Sequence, residues 1–416
     1  SLERWPFAGV PFLMKDLGVH VNGFPTVAGS RAMVRRVRPA SADDQITARF
    51  RLAGLNIVGM TTSPEFGQST TTEPHIGPIA RNPLDSRYSP GGSSGGAAAA
   101  VAAGIVAVAH ANDAAGSIRI PAACCGLVGL KPSREATPNG PYFENLCGGL
   151  VSHLAVTRTI EDTAALLDAV AGSTGGPCAD PHLGPALKSL DVPLTVLRIG
   201  FVADMPDGIS FHPEHRTALA EAAAALSDTG YEIRPMPAAD LTWLLDFAGL
   251  AIGRTLSANL ARILDGLAPS LEAGEVEPLT SAAAEVGRSW TAMQMIEAEM
   301  AIAKTALGMS QLFENVDAIL LPMLSGPPPL VGAVPTDHRD LDAHRLRIGS
   351  ISPYSGLANV AGIPALTVPF GRDQAGFPLA VQIFGPVGSD VRLLRLGKIL
   401  TLARPFIHSM EIAGMS

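Results

Sequence analysis

Apolar positions along the chain fall into short runs, and the runs switch between two periods. Residues 7–17 read as an entry turn followed by a buried strand. Residues 56–60, 105–109, 197–202, 231–234, 318–321 and 379–384 read as further short strands, each four to six residues long. The uninterrupted apolar run at 357–368 reads as a strand as well. Between them lie segments with helical spacing, at 41–54, 97–103, 159–171, 213–227 and 390–402. Ser41 is the expected N-cap of the first, with Asp43 and Asp44 in its first turn and Gly54 at its stop. Thr159 caps the third, with Glu161 and Asp162 behind it. Residues 241–313 are mostly helical and rich in Ala and Met. Alternating strands and helices imply an α/β layer structure with a largely parallel sheet. No repeat or linker interrupts the chain, so one domain over 1–416 is expected.

Two stretches break the pattern. Residues 61–90 hold five prolines and many Thr, Ser and Asn, which makes a long loop of the kind that usually carries function. Residues 88–132 carry two turns of small residues around one apolar segment. The first is Gly91-Gly-Ser-Ser-Gly-Gly96 and contains Ser93 and Ser94. The second is Asp113-Ala-Ala-Gly-Ser-Ile-Arg119 and contains Ser117. Glycine and alanine in such turns let another group approach the backbone closely, and neither helps a core to pack.

Composition narrows the function. With 47% apolar and 16% charged residues the chain can bury a large core and is not disordered. The net charge is −8, and the only basic cluster, Arg35-Arg36-Val-Arg38, is small, so nucleic acid is not expected as a direct partner. Four cysteines without C-x-x-C spacing read as buried thiols of a reducing compartment, and a cytoplasmic location is expected. The ten histidines show no ligand spacing, so no metal site is expected. The longest uncharged apolar run, 95–111, is shorter than the roughly 20 residues of a membrane span, and no membrane association is expected.

The first turn fits the G-x-S-x-G elbow at Gly91, Ser93 and Gly95, but an elbow needs a strand immediately before it. Pro83 and Pro90 upstream cannot supply a central one. The same glycines lack the Lys-Ser or Lys-Thr of a phosphate loop. The second turn is more specific. It follows a strand, so Ser117 can sit at an exposed strand end, and backbone N–H groups beside Ala114, Ala115 and Gly116 can point into one concavity and hold an oxyanion. Asp113 and Arg119 are placed to brace that turn. Lys15, inside the first apolar run, either snorkels to the surface or is a desolvated base.

Taken in order, Gly-Gly-Ser-Ser-Gly-Gly, an alanine-rich helix, Asp-x-x-Gly-Ser-Ile-Arg-x-Pro and Cys-Gly-x-x-Gly-Leu-Lys-Pro resemble the signature of the amidase signature family of serine hydrolases. The likeness extends to the Lys15 strand and to Ile363-Pro-Ala-Leu-Thr-Val-Pro369, so it covers nearly the whole chain. It implies a large mixed central β-sheet with helices on both faces. It also implies a Ser-cisSer-Lys triad: Ser117 as nucleophile, Ser93 as the bridging serine after a cis peptide, and Lys15 as base. Ser94 matches a supporting position, and the backbone N–H groups of Ala114, Ala115, Gly116 and Ser117 match the oxyanion hole. The reaction implied is hydrolysis of an amide through an acyl-enzyme, without metal or organic cofactor.

Two departures and one finer likeness qualify the resemblance. Ala115-Gly116 stands where many members have Gly-Gly. The Asn-Asp-Ala-Ala-Gly-Ser form is similar to a branch that includes 6-aminohexanoate cyclic-dimer hydrolase and related bacterial amidases. The helical segment that usually precedes the Lys strand is not in this sequence. Gln68 is the candidate contact to the substrate amide, and the 142–147 loop, Trp243 with Phe247, or Met293 with Met295 are candidates for the acyl pocket. The few charges in these segments suggest a small, neutral, apolar amide as partner, with a second copy of the chain as the expected assembly. Two rival readings remain. One is the A-type component of a glutamine-dependent tRNA amidotransferase, which usually has Gln where this chain has Ile120. The other is a catalytically dead homologue acting as a binding module.

Overall fold

A computed structural model describes residues 6–139, 146–172, 180–267 and 271–414. Ten strands form one sheet: β1 (Pro11–Lys15), β2 (Asn56–Thr61), β3 (Val108–Asp113), β4 (Val128–Lys131), β5 (Ser152–Thr157), β6 (Arg198–Phe201), β7 (Glu232–Pro235), β8 (Ala318–Pro322), β9 (Ala365–Arg372) and β10 (Pro378–Phe384). Their order is β2-β1-β3-β5-β4-β9-β10-β8-β6-β7. Strands β2, β1 and β3 run parallel at one end, and β8, β6 and β7 run parallel at the other. Every pairing between β3 and β8 is antiparallel. The largely parallel sheet expected from element alternation is thus corrected to a mixed one, which is the sheet that the family resemblance implied. The centre is antiparallel in part because β9 and β10 are consecutive strands joined by a short turn, and among the described residues no α-helix lies between β4 and β5 either.

Alternate residues of one strand enter different cores. Ala318 and Leu320 of β8 join the largest apolar cluster, while Ile319 and Leu321 join a second one with Leu241, Leu244 and Tyr354. Strand side chains alternate between faces, so both faces of the sheet are covered. Helices Pro213–Asp228 and Asp390–Ala403 pack on the first side, and Ala239–Leu267, Ala292–Leu312 and Ser355–Ala361 supply the second.

Three local expectations are revised. The strand expected at 105–109 forms at Val108–Asp113, because Gly104 ends the preceding helix in a left-handed conformation (φ 73°) and Ile105 N–H turns back to Ala100 O. The run at 357–368 divides into a helix (Ser355–Ala361), a left-handed Gly362 and β9. Both parts are buried, and a short apolar run cannot by itself distinguish a buried strand from a buried helix. The N-cap of Gln45–Leu52 is Asp44 rather than Ser41, since the Asp44 carboxylate accepts from Thr47 N–H at 2.9 Å. Thr159 does cap Ile160–Val170, accepting from Asp162 N–H at 3.0 Å.

Candidate active site

The site lies where two parallel neighbours end together. Strands β1 and β3 are paired in parallel, so Lys15 and Asp113 close at the same edge of the sheet. Ligand sites of α/β sheets form outside such carboxyl ends. The loop after β3 carries Ala114 to Ser117, and the Gly91–Gly96 turn folds over Lys15 from the other side.

Lys15 is fully buried, and its Nζ lies 2.8 Å from Ser93 Oγ and 2.6 Å from Asn112 Oδ1. The Gly92–Ser93 peptide is cis. Burial pushes the Lys15 ammonium down to about 7, partly opposed by the charge of Asp113. Burial thus sets its proton affinity, and the same complete burial excludes snorkelling. Its own backbone N–H donates to His110 Nδ1 at 3.2 Å, and His110 meets His153 across a 3.1 Å contact. Burial drives both imidazoles well below their usual range, so no second cation sits beside the lysine. Ser94 Oγ donates to Asn112 O at 3.3 Å, tying the first turn to β3. No side chain fits at Gly92, where a Cβ would stand 2.8 Å from Ser69 O.

The second turn is held by a buried ion pair. Arg119 Nε donates to Asp113 Oδ2 at 2.9 Å and Arg119 Nη2 donates to Asp113 Oδ1 at 3.0 Å, with both side chains inaccessible to solvent. Burial alone would raise the Asp113 carboxyl, but the Arg119 guanidinium overrides it and holds the group well below the usual carboxylate range. Asp113 also accepts from Gly116 N–H at 2.6 Å and Ile118 N–H at 3.1 Å. The Gly116 donor is therefore committed to the brace and is removed from the expected oxyanion hole. Among the described residues the N–H groups of Ala114, Ala115 and Ser117 have no acceptor within the protein, so these three remain. Gly116 takes φ 126°, and a Cβ there would stand 2.8 Å from Ile120 and 2.9 Å from Ser355. Ser117 is half-buried and lines the cleft, and among the described residues its hydroxyl is not hydrogen-bonded to Ser93.

Four contributors escaped the sequence reading. Asn112 grips Lys15 and donates to Leu17 O at 2.7 Å. Asn359 donates to Asp113 O at 2.7 Å and accepts from Arg119 Nη2 at 2.7 Å. Gln382 accepts from Arg119 Nη1 at 2.7 Å, and Ser355 Oγ donates to Ala115 O at 2.8 Å. Three of them are the polar residues of otherwise apolar runs or strands, and that polarity was the available signal.

The cleft has two joined lobes. One, of about 290 Å³, is lined by Ser117, Ala115, Leu245, Ile252 and Leu256; the other, of about 170 Å³, by Phe66, Leu260, Leu279 and Ala283. Gln68 and Arg345 line both. Gln68 lines the wall, but its Nε2 donates to Thr280 Oγ1 at 2.7 Å and its backbone carbonyl meets His344 Nε2 at 2.9 Å. Trp243, Phe247, Met293 and Met295 do not line either lobe; Trp243 is 48% exposed and packs beside Gly308, and Met293 is 67% exposed. Residues 245, 248, 252 and 256 occupy the cleft face of Ala239–Leu267, at the three- and four-residue steps of one helical face. The 142–145 part of the proposed loop lies outside the described residues.

The chain matches the Amidase family across residues 1–394. It is 33% identical over 98% of its length to the 6-aminohexanoate-cyclic-dimer hydrolase of Paenarthrobacter ureafaciens, covering 85% of that protein. The solved structure of a 6-aminohexanoate cyclic dimer hydrolase with substrate superposes with a TM-score of 0.89 at 29% identity, over 98% of this chain and 87% of that one. A glutamyl-tRNA(Gln) amidotransferase component from Thermotoga maritima, at 23% identity and a TM-score of 0.77 over 98% of this chain and 86% of that one, shares the fold. The chain belongs to the amidase family, an enzyme class that cleaves amide C–N bonds. Among the described residues no helix is long and apolar enough to cross a membrane.

Proposed function

We propose that this amidase works through an acyl-enzyme on Ser117, with Ser93 passing protons between Ser117 and Lys15. The observation that carries the reading is the 2.8 Å contact of a fully buried lysine with Ser93, at the sheet edge where the Ser117 loop begins. A serine hydroxyl is a weak nucleophile until a base takes its proton. Neutral Lys15 accepts the Ser93 proton while Ser93 accepts that of Ser117, and Ser117 Oγ attacks the amide carbonyl carbon. The N–H groups of Ala114, Ala115 and Ser117 are the candidate donors to the resulting oxyanion. Apo hydrogen bonds in active sites often tighten only when substrate is present, so the open Ser93–Ser117 spacing is compatible with this path. The proton returns through Ser93 to the leaving nitrogen as the C–N bond breaks. Water then attacks the ester, and the same relay regenerates Ser117. The apolar walls fit a substrate with an aliphatic or aryl body. The test is hydrolysis of a panel of short aliphatic, aryl and cyclic amides by wild type and Ser117→Ala. Loss of turnover in the variant is expected, and retained amide hydrolysis would overturn the assignment.

A further inference from the structure

Arg345 lines the cleft as a cation, 48% exposed, with little of its charge spent inside the protein. It comes from helix Leu341–Ile351 and lines both lobes, including the one that Ser117 lines. Its only ion pair among the described residues is Nη1 to Asp342 at 3.1 Å, one turn away on the same helix. Asp342 is 88% exposed, and pairs of this kind hold weakly and exchange readily. The Nε–Nη2 edge makes no hydrogen bond among the described residues. That edge lies over Gly253, where a Cβ would be 3.7 Å from Nη2 and 3.9 Å from Nε. A longer side chain at 253 would cover the edge that glycine leaves open. Around it the walls are apolar, with Ile252, Leu256 and Ile348. A guanidinium edge of two parallel N–H donors matches a carboxylate in geometry and charge.

We propose that Arg345 forms a carboxylate subsite, so that the preferred substrate is an amide carrying a carboxylate at the far end of an apolar chain or ring from the scissile bond. This rests on the amide hydrolysis proposed at Ser117, and it replaces the neutral substrate expected from sequence.

The experiment compares charged and uncharged partners on the purified chain. One arm uses adipic acid mono-para-nitroanilide against heptanoic acid para-nitroanilide, placing the carboxylate on the acyl side. The other uses N-hexanoyl-para-aminobenzoate against N-hexanoylaniline, placing it on the amine side. In at least one arm the carboxylate substrate should have the higher kcat/KM, and Arg345→Met should cost it about 10- to 100-fold more than its uncharged partner, the range for losing hydrogen bonds to a charged group. Arg345→Lys should recover part of that loss. Equal or better turnover of the uncharged partner in both arms, or equal losses in Arg345→Met, overturns the subsite. Fluorophosphonate labelling of Ser117 with no turnover of either carboxylate substrate also overturns it and leaves the hydrolase reading standing. Neither labelling nor turnover overturns both.

Discussion

Two lysines close neighbouring parts of the sheet, and both are buried. Lys15 ends β1 and Lys131 ends β4. Burial pushes both ammonium groups down from the ordinary 10.5. What separates them is the company they keep. Lys15 faces a serine hydroxyl and an amide oxygen, 2.8 Å and 2.6 Å away. Lys131 Nζ donates to the carbonyl of Pro132 at 2.5 Å and lies among Arg119, Asp113, Asp390 and Arg134. A backbone carbonyl has no proton to give. A depressed lysine is therefore a base only where a transferable proton adjoins it, and burial alone identifies both residues equally. Lys131 is read as structural, held beside the buried Asp113 and Asp390 with no transferable proton next to it.

The widest split should come from replacing each lysine. Lys15→Met is expected to lower kcat/KM by about 100- to 10,000-fold, the span of general-base contributions. Lys131→Met should keep activity per folded molecule within about tenfold while losing on the order of 1–3 kcal/mol of stability from unmatched polar groups. Steady-state kinetics and denaturant unfolding on both variants measure this, and similar activity losses would erase the distinction.

Arg119→Met is next. It strips Asp113 of its buried partner, and breaking such a pair costs about 3–5 kcal/mol. The expected result is a large drop in the unfolding midpoint together with lost activity, because the same carboxylate holds Gly116 and Ile118 in the Ser117 loop.

The pH dependence sharpens the contrast further. As the proposed base, Lys15 would work in its neutral form, so kcat/KM should fall as pH drops through about 7 and level off above it. Stability has its own sign. Between about 7 and 10.5 the unfolded chain binds the Lys15 proton and the folded chain does not, so this group's contribution makes stability rise with pH across that window. Lys15→Met should remove that contribution. A wild-type rate profile with no acidic limb near 7 would argue against Lys15 as the base.

The smallest effect is expected at Asn112. Its Oδ1 accepts from Lys15 Nζ and favours the charged lysine. Asn112→Ala should move the acidic limb of kcat/KM to lower pH, and Asn112→Asp to higher pH, each by about one unit, which corresponds to about 1.4 kcal/mol. Shifts of the opposite sign would remove Asn112 from the site.

Much of this was legible in the chain itself. The turn residues carry their own conformational demands, so the Gly91–Gly96 and Asp113–Arg119 turns and the Thr159 cap could be placed from residue types alone. The mixed sheet was legible only through the family resemblance, because alternation of elements reports connectivity and says nothing of which edge a strand joins. The helix Ser355–Ala361 was hidden for a related reason: burial on all sides erases the periodicity that tells helix from strand. Ser355, Asn359 and Gln382 are all more than 200 residues from the turn they serve, as the 240-residue separation of Arg119 and Asn359 illustrates, and Arg345 lies 92 residues from the Gly253 it covers. Only the tertiary fold brings them there.

The assignment of roles to the two serines is the central claim, and covalent labelling tests it most directly. The chain would be treated with a fluorophosphonate, digested, and mapped by mass spectrometry in wild type, Ser93→Ala and Ser117→Ala. The account predicts one adduct on Ser117 in wild type, slower labelling of the same residue in Ser93→Ala, and none in Ser117→Ala. An adduct on Ser93, or undiminished labelling of Ser117→Ala, would contradict it.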